Sequence, residues 1–119
     1  MDEGWTRMVL DRHEFKLTSL DNTAMKAKDL ASKFDVIILP DQDKTMIIDG
    51  RPKSEEGPAY FEPLPPPYAG GIGKEGVANL KAFVDTGGTL ICLSEACGLA
   101  LDEFNLPARN LVGRMKSTE

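Results

Sequence analysis

Apolar and polar positions along this chain follow two rhythms, one of about three and a half residues and one of two, and the switches between them mark its elements. Trp5, Met8 and Val9 fall at i, i+3 and i+4, giving one apolar face to a first helix that Asp2 can cap and that ends near His13. Phe15 to Leu20 alternates apolar with polar residues, which predicts a short edge or near-edge strand with one wetter side. After Asp21-Asn22, the stretch from Ala24 to Phe34 sets Ala27, Leu30 and Phe34 on one helical side, with enough polarity for a broken turn. Val36-Ile37-Ile38-Leu39, bounded by Asp35 and by Pro40-Asp41, is a continuous β-branched run of the kind found in a central parallel strand buried on both faces.

From residue 41 to 73 the pattern gives way to Gly, Pro and charge, including Arg51-Pro52 through Gly57-Pro58 and Pro63-Leu64-Pro65-Pro66-Pro67. No helix crosses those prolines, so this span reads as one long Gly/Pro-rich loop. Such loops are usually functional, mobile or packed against something else, and Tyr60, Phe61 and Tyr68 within it suggest a partner surface. Periodicity returns at Lys74 to Asp85, a helix with Val77, Leu80, Phe83 and Val84 on one face that Thr86-Gly87-Gly88 ends. A strand from Thr89 to Leu93 follows, then a tight turn over Ser94-Glu95-Ala96-Cys97-Gly98 and a short helix from Leu99 to Phe104. An extended piece from Leu106 to Val112, broken by Pro107, leads into a frayed tail over 113–119.

Alternating helix and strand implies an α/β fold: a single domain over 1–119 with a mostly parallel sheet and helices on both faces. A doubly wound unit normally opens on a buried strand, whereas this chain opens on a helix, so either the first strand is missing or the sheet is built without it. A sheet lacking a central strand exposes unpaired edges, and a homodimer or strand exchange is therefore expected.

Composition narrows the classes of function. Hydrophobic residues at 41% and charged residues at 28% of 119 describe a globular chain rather than a disordered one. The net charge of -5, with no cluster of Lys or Arg, argues against a nucleic-acid partner. The apolar runs are strand-sized, far below the ~20 residues that span a bilayer, and no signal peptide opens this piece. Cys92 and Cys97 are too few for a disulfide scaffold or a structural zinc site. Cys92, inside an apolar strand, reads as a small hydrophobe, and a strand-interior side chain rarely turns back to bridge to its own loop.

Gly71-Ile72-Gly73-Lys74-Glu75-Gly76 matches the dinucleotide fingerprint, but polyproline stands where a strand should feed the turn, and Glu75 replaces the Ser or Thr that a P-loop requires. Gly71 and Gly73 are instead expected to let the loop pack close to the sheet.

Five segments, Gly4-Trp5-Thr6-Arg7 through Leu10, Phe34 to Pro40, Tyr68 to Gly73, Leu80 to Leu90 and Asn105 to Asn110, together resemble the class I glutamine-amidotransferase-like C-terminal domain of bacterial zinc carboxypeptidases of the M14 family. The resemblance covers nearly the whole chain and rests on structural rather than catalytic motifs. It implies a three-layer α/β/α, flavodoxin-like fold appended to a secreted or periplasmic peptidase, with zinc held in the parent's peptidase domain. It also implies a strand ahead of the Trp5 helix, so that this chain would be a fragment of a larger protein with its first strand missing. The metal motif itself is absent: the single His13 is followed by Glu14, with Lys16 where a ligand Glu would stand, so His13 reads as a solvated helix-end residue.

An amidotransferase nucleophile sits on a sharp turn directly after a strand. In this chain Ser94 lies nearest that elbow and Cys97 follows three residues later, neither with a second histidine to act as base. The leading expectation is therefore a noncatalytic accessory domain without a cofactor of its own, which contacts the peptidase domain of the same parent. A thiol enzyme or redox sensor built on Cys97 with Glu95 and Ser94 is the alternative, followed by a module holding a small anion at the glycine loop 70–76.

Overall fold

The computed structural model describes residues 2–50, 66 and 69–111. It is a mixed helix–strand fold around a two-stranded parallel sheet. The helices are α1 (Asp2–Arg12), α2 (Asn22–Met25), α3 (Leu30–Lys33), α4 (Lys44–Asp49), α5 (Gly73–Asp85) and α6 (Cys97–Glu103); the strands are β1 (Val36–Leu39) and β2 (Thr89–Cys92). A 3-10 turn, Ser94–Ala96, joins β2 to α6.

The sheet forms where the sequence is most β-branched. β1 and β2 run parallel with Val36 opposite Thr89 and Leu39 opposite Cys92, and the ladder is closed at its ends by Thr89 N–H to Asp35 O at 2.9 Å and Leu93 N–H to Leu39 O at 3.0 Å. In this register the two faces differ. Ile37 and Leu39, with Leu90 and Cys92, belong to the core cluster, whereas Val36 and Ile91 remain 48% and 40% exposed. β1 is therefore buried on one face among the described residues, not on both as its continuous apolar run suggests.

α5 is the element against which the core assembles. Gly76, Leu80 and Phe83 at i, i+4 and i+7 are buried on one stripe, and the helix contacts α2, α3, α4 and β2. Burying side chains such as Leu80 and Phe83 contributes about 1.5–3 kcal/mol each. Val84, grouped with that stripe by spacing, lies at its exposed rim. The helix stops as its sequence requires: Thr86 Oγ1 donates to the Ala82 and Phe83 carbonyls, and Gly87 takes a φ of 102°. Gly88 then passes so near the Phe83 ring that a Cβ there would stand 2.4 Å from it.

Three departures from the sequence pattern have physical causes. Phe15 to Leu20 forms no strand: Leu17 and Leu20 are the half-buried positions, three apart rather than two, and Ser19 spends its hydroxyl on α1. The stretch 24–34 divides into α2 and α3: its buried positions, Met25 and Leu30, are five apart, and Phe34, which packs against the core, is already extended. Within the expected loop 41–73, Lys44 to Asp49 is helical: the Asp43 carboxylate accepts from the Thr45 and Met46 N–H groups, and Gly50 closes the helix at a φ of 68°.

The glycines before α5 pack on α4 rather than on the sheet. Ile72 N–H donates to Ile47 O at 2.9 Å, and a Cβ on Gly71 would lie 2.1 Å from the Ile48 carbonyl oxygen. Asn22 Nδ2 reinforces the approach by donating to Gly70 O at 2.7 Å. At the far side, the Lys44 ammonium binds Asp102 at 2.7 Å and lies 3.6 Å from Glu103, tying α4 to α6.

α1 is oriented unexpectedly. Asp2 is already inside the helix rather than capping it. Glu3, Thr6, Arg7 and Leu10, one helical face, border a cleft of roughly 120 Å3 with Leu17, Ser19, Ile38 and Pro40. Arg7 donates to Ser19, and Ser19 to Glu3, each at 2.8 Å. The apolar face therefore turns outward, with Trp5 62%, Met8 50% and Val9 51% exposed.

Candidate functional site

In an open parallel sheet, ligands gather beyond the carboxyl ends of the strands, and the candidate residues Ser94, Glu95 and Cys97 stand at that end of β2. Leu93 is still extended; Ser94 then takes a φ of 49°, a left-handed conformation that turns the chain abruptly into the 3-10 turn and α6. Ala96, fully buried, anchors the corner from below, and its N–H returns to Leu93 O at 3.0 Å. Leu99 buries the following helix, while Ser94, Glu95 and Cys97 remain exposed above it.

The contact between the two strand ends comes from a residue that sequence reasoning used only as a boundary. Asp41, just beyond β1, accepts a hydrogen bond at Oδ1 from the Glu95 N–H at 3.1 Å. That amide follows the left-handed corner residue, the position that supplies an oxyanion donor in nucleophile elbows. Here a carboxylate occupies it, and an anion arriving at the same amide meets negative charge. The signal for Asp41 was its place at the C-terminal end of a parallel strand; its partner lies 54 residues away.

Cys97 does not point into solvent as a detached nucleophile. Its Sγ donates to the backbone oxygen of Cys92 at 3.2 Å, and both thiols are free. Cys92 is the last residue of β2 rather than an interior one, so the turn does bring a later side chain back upon it. Burial, and secondarily the neighbouring Cys97, push the Cys92 thiol up from its ordinary pKa.

The remaining candidates lie elsewhere. Gly71 packs against α4 just before α5, whereas Gly73 is the first residue of α5, at a φ of 64° with open space around it. Tyr60, Phe61 and Tyr68 lie outside the described residues. His13 is exposed just after α1, and no group of three or more His, Cys, Asp or Glu side chains among the described residues is arranged to hold a metal ion. No helix of the described residues is long and apolar enough to cross a membrane. No protein-family model, curated protein or solved structure matches the chain.

Proposed function

We propose that this chain is a noncatalytic interaction domain of a zinc carboxypeptidase of the M14 family, built on the three-layer amidotransferase-like plan and docked on the peptidase domain of its parent. The observation that carries the proposal is apolar surface in the wrong place for an isolated globule: α1 turns Trp5, Met8 and Val9 outward, and Val36 and Ile91 stand open on one sheet face. Large exposed apolar groups of this kind mark sites of association. With ~150–250 Å2 per aromatic side chain and ~25 cal/mol per Å2, covering the exposed share of Trp5 contributes about 3 kcal/mol. The third layer of the plan would lie on that open sheet face, beside the cleft that α1 borders at Ile38.

The test uses Trp5, the single tryptophan of the chain. Titrating the chain with the parent's peptidase domain should shift Trp5 emission to shorter wavelength, and Trp5→Ser, Met8→Ser should weaken binding at least tenfold. Unchanged emission at saturating peptidase domain, together with peptide hydrolysis by the parent that is indifferent to deletion of this domain, refutes the assignment.

One observation favours a second reading, an enzyme of the amidotransferase-like superfamily: the left-handed Ser94 at the corner one residue beyond β2. It directs attention to Ser94 rather than Cys97 at the corner. Labelling by a fluorophosphonate that Ser94→Ala abolishes would support it, and absence of labelling would remove it.

A further inference from the structure

The reversal between β2 and α6 brings two thiol-bearing residues into contact. It is fixed from three directions: Leu93 N–H donates to Leu39 O, Ala96 N–H to Leu93 O, and Glu95 N–H to the Asp41 carboxylate. Ala96 and Leu99 are fully buried, so the start of α6 is pinned to the core. Within that frame Cys97 Sγ reaches 3.2 Å from the backbone oxygen of Cys92. The Cys97 thiol therefore lies against the main chain of Cys92, five residues back along the turn.

The two residues differ in access. Cys97 is exposed, and Cys92 is half-buried in the sheet end. Burial shields the Cys92 sulfur and raises its pKa, which makes it a poorer first target for an oxidant than the exposed Cys97.

We propose that Cys92 and Cys97 are a modification site for hydroperoxides, with Cys97 oxidised first and Cys92 closing an intramolecular disulfide. In the first step the Cys97 thiolate attacks the hydroperoxide; the O–O bond breaks, an S–O bond forms, sulfur loses two electrons, and the oxidant leaves as its alcohol or as water after taking up a proton. In the second, Cys92 sulfur attacks the sulfenic sulfur of Cys97; the S–S bond forms, the S–O bond breaks, and hydroxide leaves as water with the Cys92 proton. The sum is two thiols and one hydroperoxide giving one disulfide, one alcohol or water, and one water. The disulfide would lock the corner that carries Ser94 and Glu95, and it is independent of docking through α1 and the open sheet face.

Hydrogen peroxide and the full chain provide the test. Both cysteines lie in one tryptic peptide, Ala82 to Arg109, and Glu95 lies between them. After oxidation that peptide should lack two hydrogens, resist alkylation, and stay one covalent species when cleaved after Glu95 until it is reduced. Because the fold holds the two residues in contact, the bond should form about tenfold faster in the folded than in the urea-unfolded chain. Cys92→Ser should accumulate a dimedone-trappable sulfenic acid at Cys97, and Cys97→Ser should leave Cys92 alkylatable. Equal rates folded and unfolded, over-oxidation of Cys97 with Cys92 still alkylatable in the unsubstituted chain, or oxidation of Cys92 undiminished in Cys97→Ser would each overturn the proposal.

Discussion

Two adjacent glycines after α5 should fail for different reasons when substituted, and the difference can be measured. Gly87 has a φ of 102° and open space around an added Cβ, whereas a Cβ on Gly88 would meet the Phe83 ring at 2.4–2.5 Å. Phe83 is 1% exposed, so its ring has no free volume to retreat into. Gly87→Ala therefore carries only backbone strain, about 1–2 kcal/mol. Gly88→Ala carries overpacking, about 2–3 kcal/mol. Phe83→Leu alone should cost about 1–2 kcal/mol through the cavity it leaves. The double variants discriminate the two causes: Phe83→Leu should recover at least about 1 kcal/mol of the Gly88→Ala loss and none of the Gly87→Ala loss. Urea denaturation followed by far-ultraviolet circular dichroism, with equal m-values across the series, reads these differences. Strict additivity of Gly88→Ala with Phe83→Leu, or a Gly88→Ala chain within about 0.5 kcal/mol of the parent, would show that the close approach does not govern this helix end.

Three further outcomes follow from particular contacts. Trp5→Ser should change the stability of the isolated chain by no more than about 0.5 kcal/mol, since the side chain is 62% exposed; a thermal melt showing a larger loss would mean that the α1 face is covered within the chain. Asp41→Ala should cost about 1 kcal/mol by releasing the Glu95 N–H, while Asp41→Asn, which keeps an acceptor oxygen, should cost less, as read by urea denaturation. The Asp102 hydrogen bond, with the charges of Asp102 and Glu103, raises the Lys44 pKa. Its contribution is therefore full below the unfolded lysine pKa and is lost as pH climbs through the folded one, a window above about pH 10.4. Solvent screening keeps that contribution below about 1 kcal/mol, and a pH titration of stability in which Lys44→Met shows the same alkaline loss as the parent would contradict the assignment.

Much of the sheet was legible because its signals are local. Val36 to Leu39 is a β-branched apolar run that favours a strand over a helix, and Pro40 stops it. α5 carries its own stripe and its own stop at Thr86-Gly87-Gly88, so its end falls where the pattern places it. α4 was equally local in its caps, Asp43 and Gly50, but the surrounding Gly/Pro composition outweighed six residues of helical signal. The candidate site was half legible: Ser94, Glu95 and Cys97 lie within four consecutive residues, so a strand followed by a turn is enough to group them. Asp41 was not, because a hydrogen bond spanning 54 residues leaves no periodicity behind.

The sequence by itself determined that this chain is α/β, that β1 and β2 exist, that α5 buries one stripe, and that a thiol and a carboxylate follow β2 at close spacing. Each of these depends on propensity, periodicity or capping within a few residues. Only the tertiary structure decided that α1 presents its Glu3, Thr6, Arg7 and Leu10 face to the cleft and its tryptophan face outward. It also decided that Gly71 packs on α4, that Asp41 occupies the corner amide, and that Cys97 returns to its own strand. The physical reason is common to the first three: periodicity shows that an element has two faces, and only packing against residues far away in the chain selects which face is covered, whereas the Cys97 contact spans five residues and is set by the turn that the core holds.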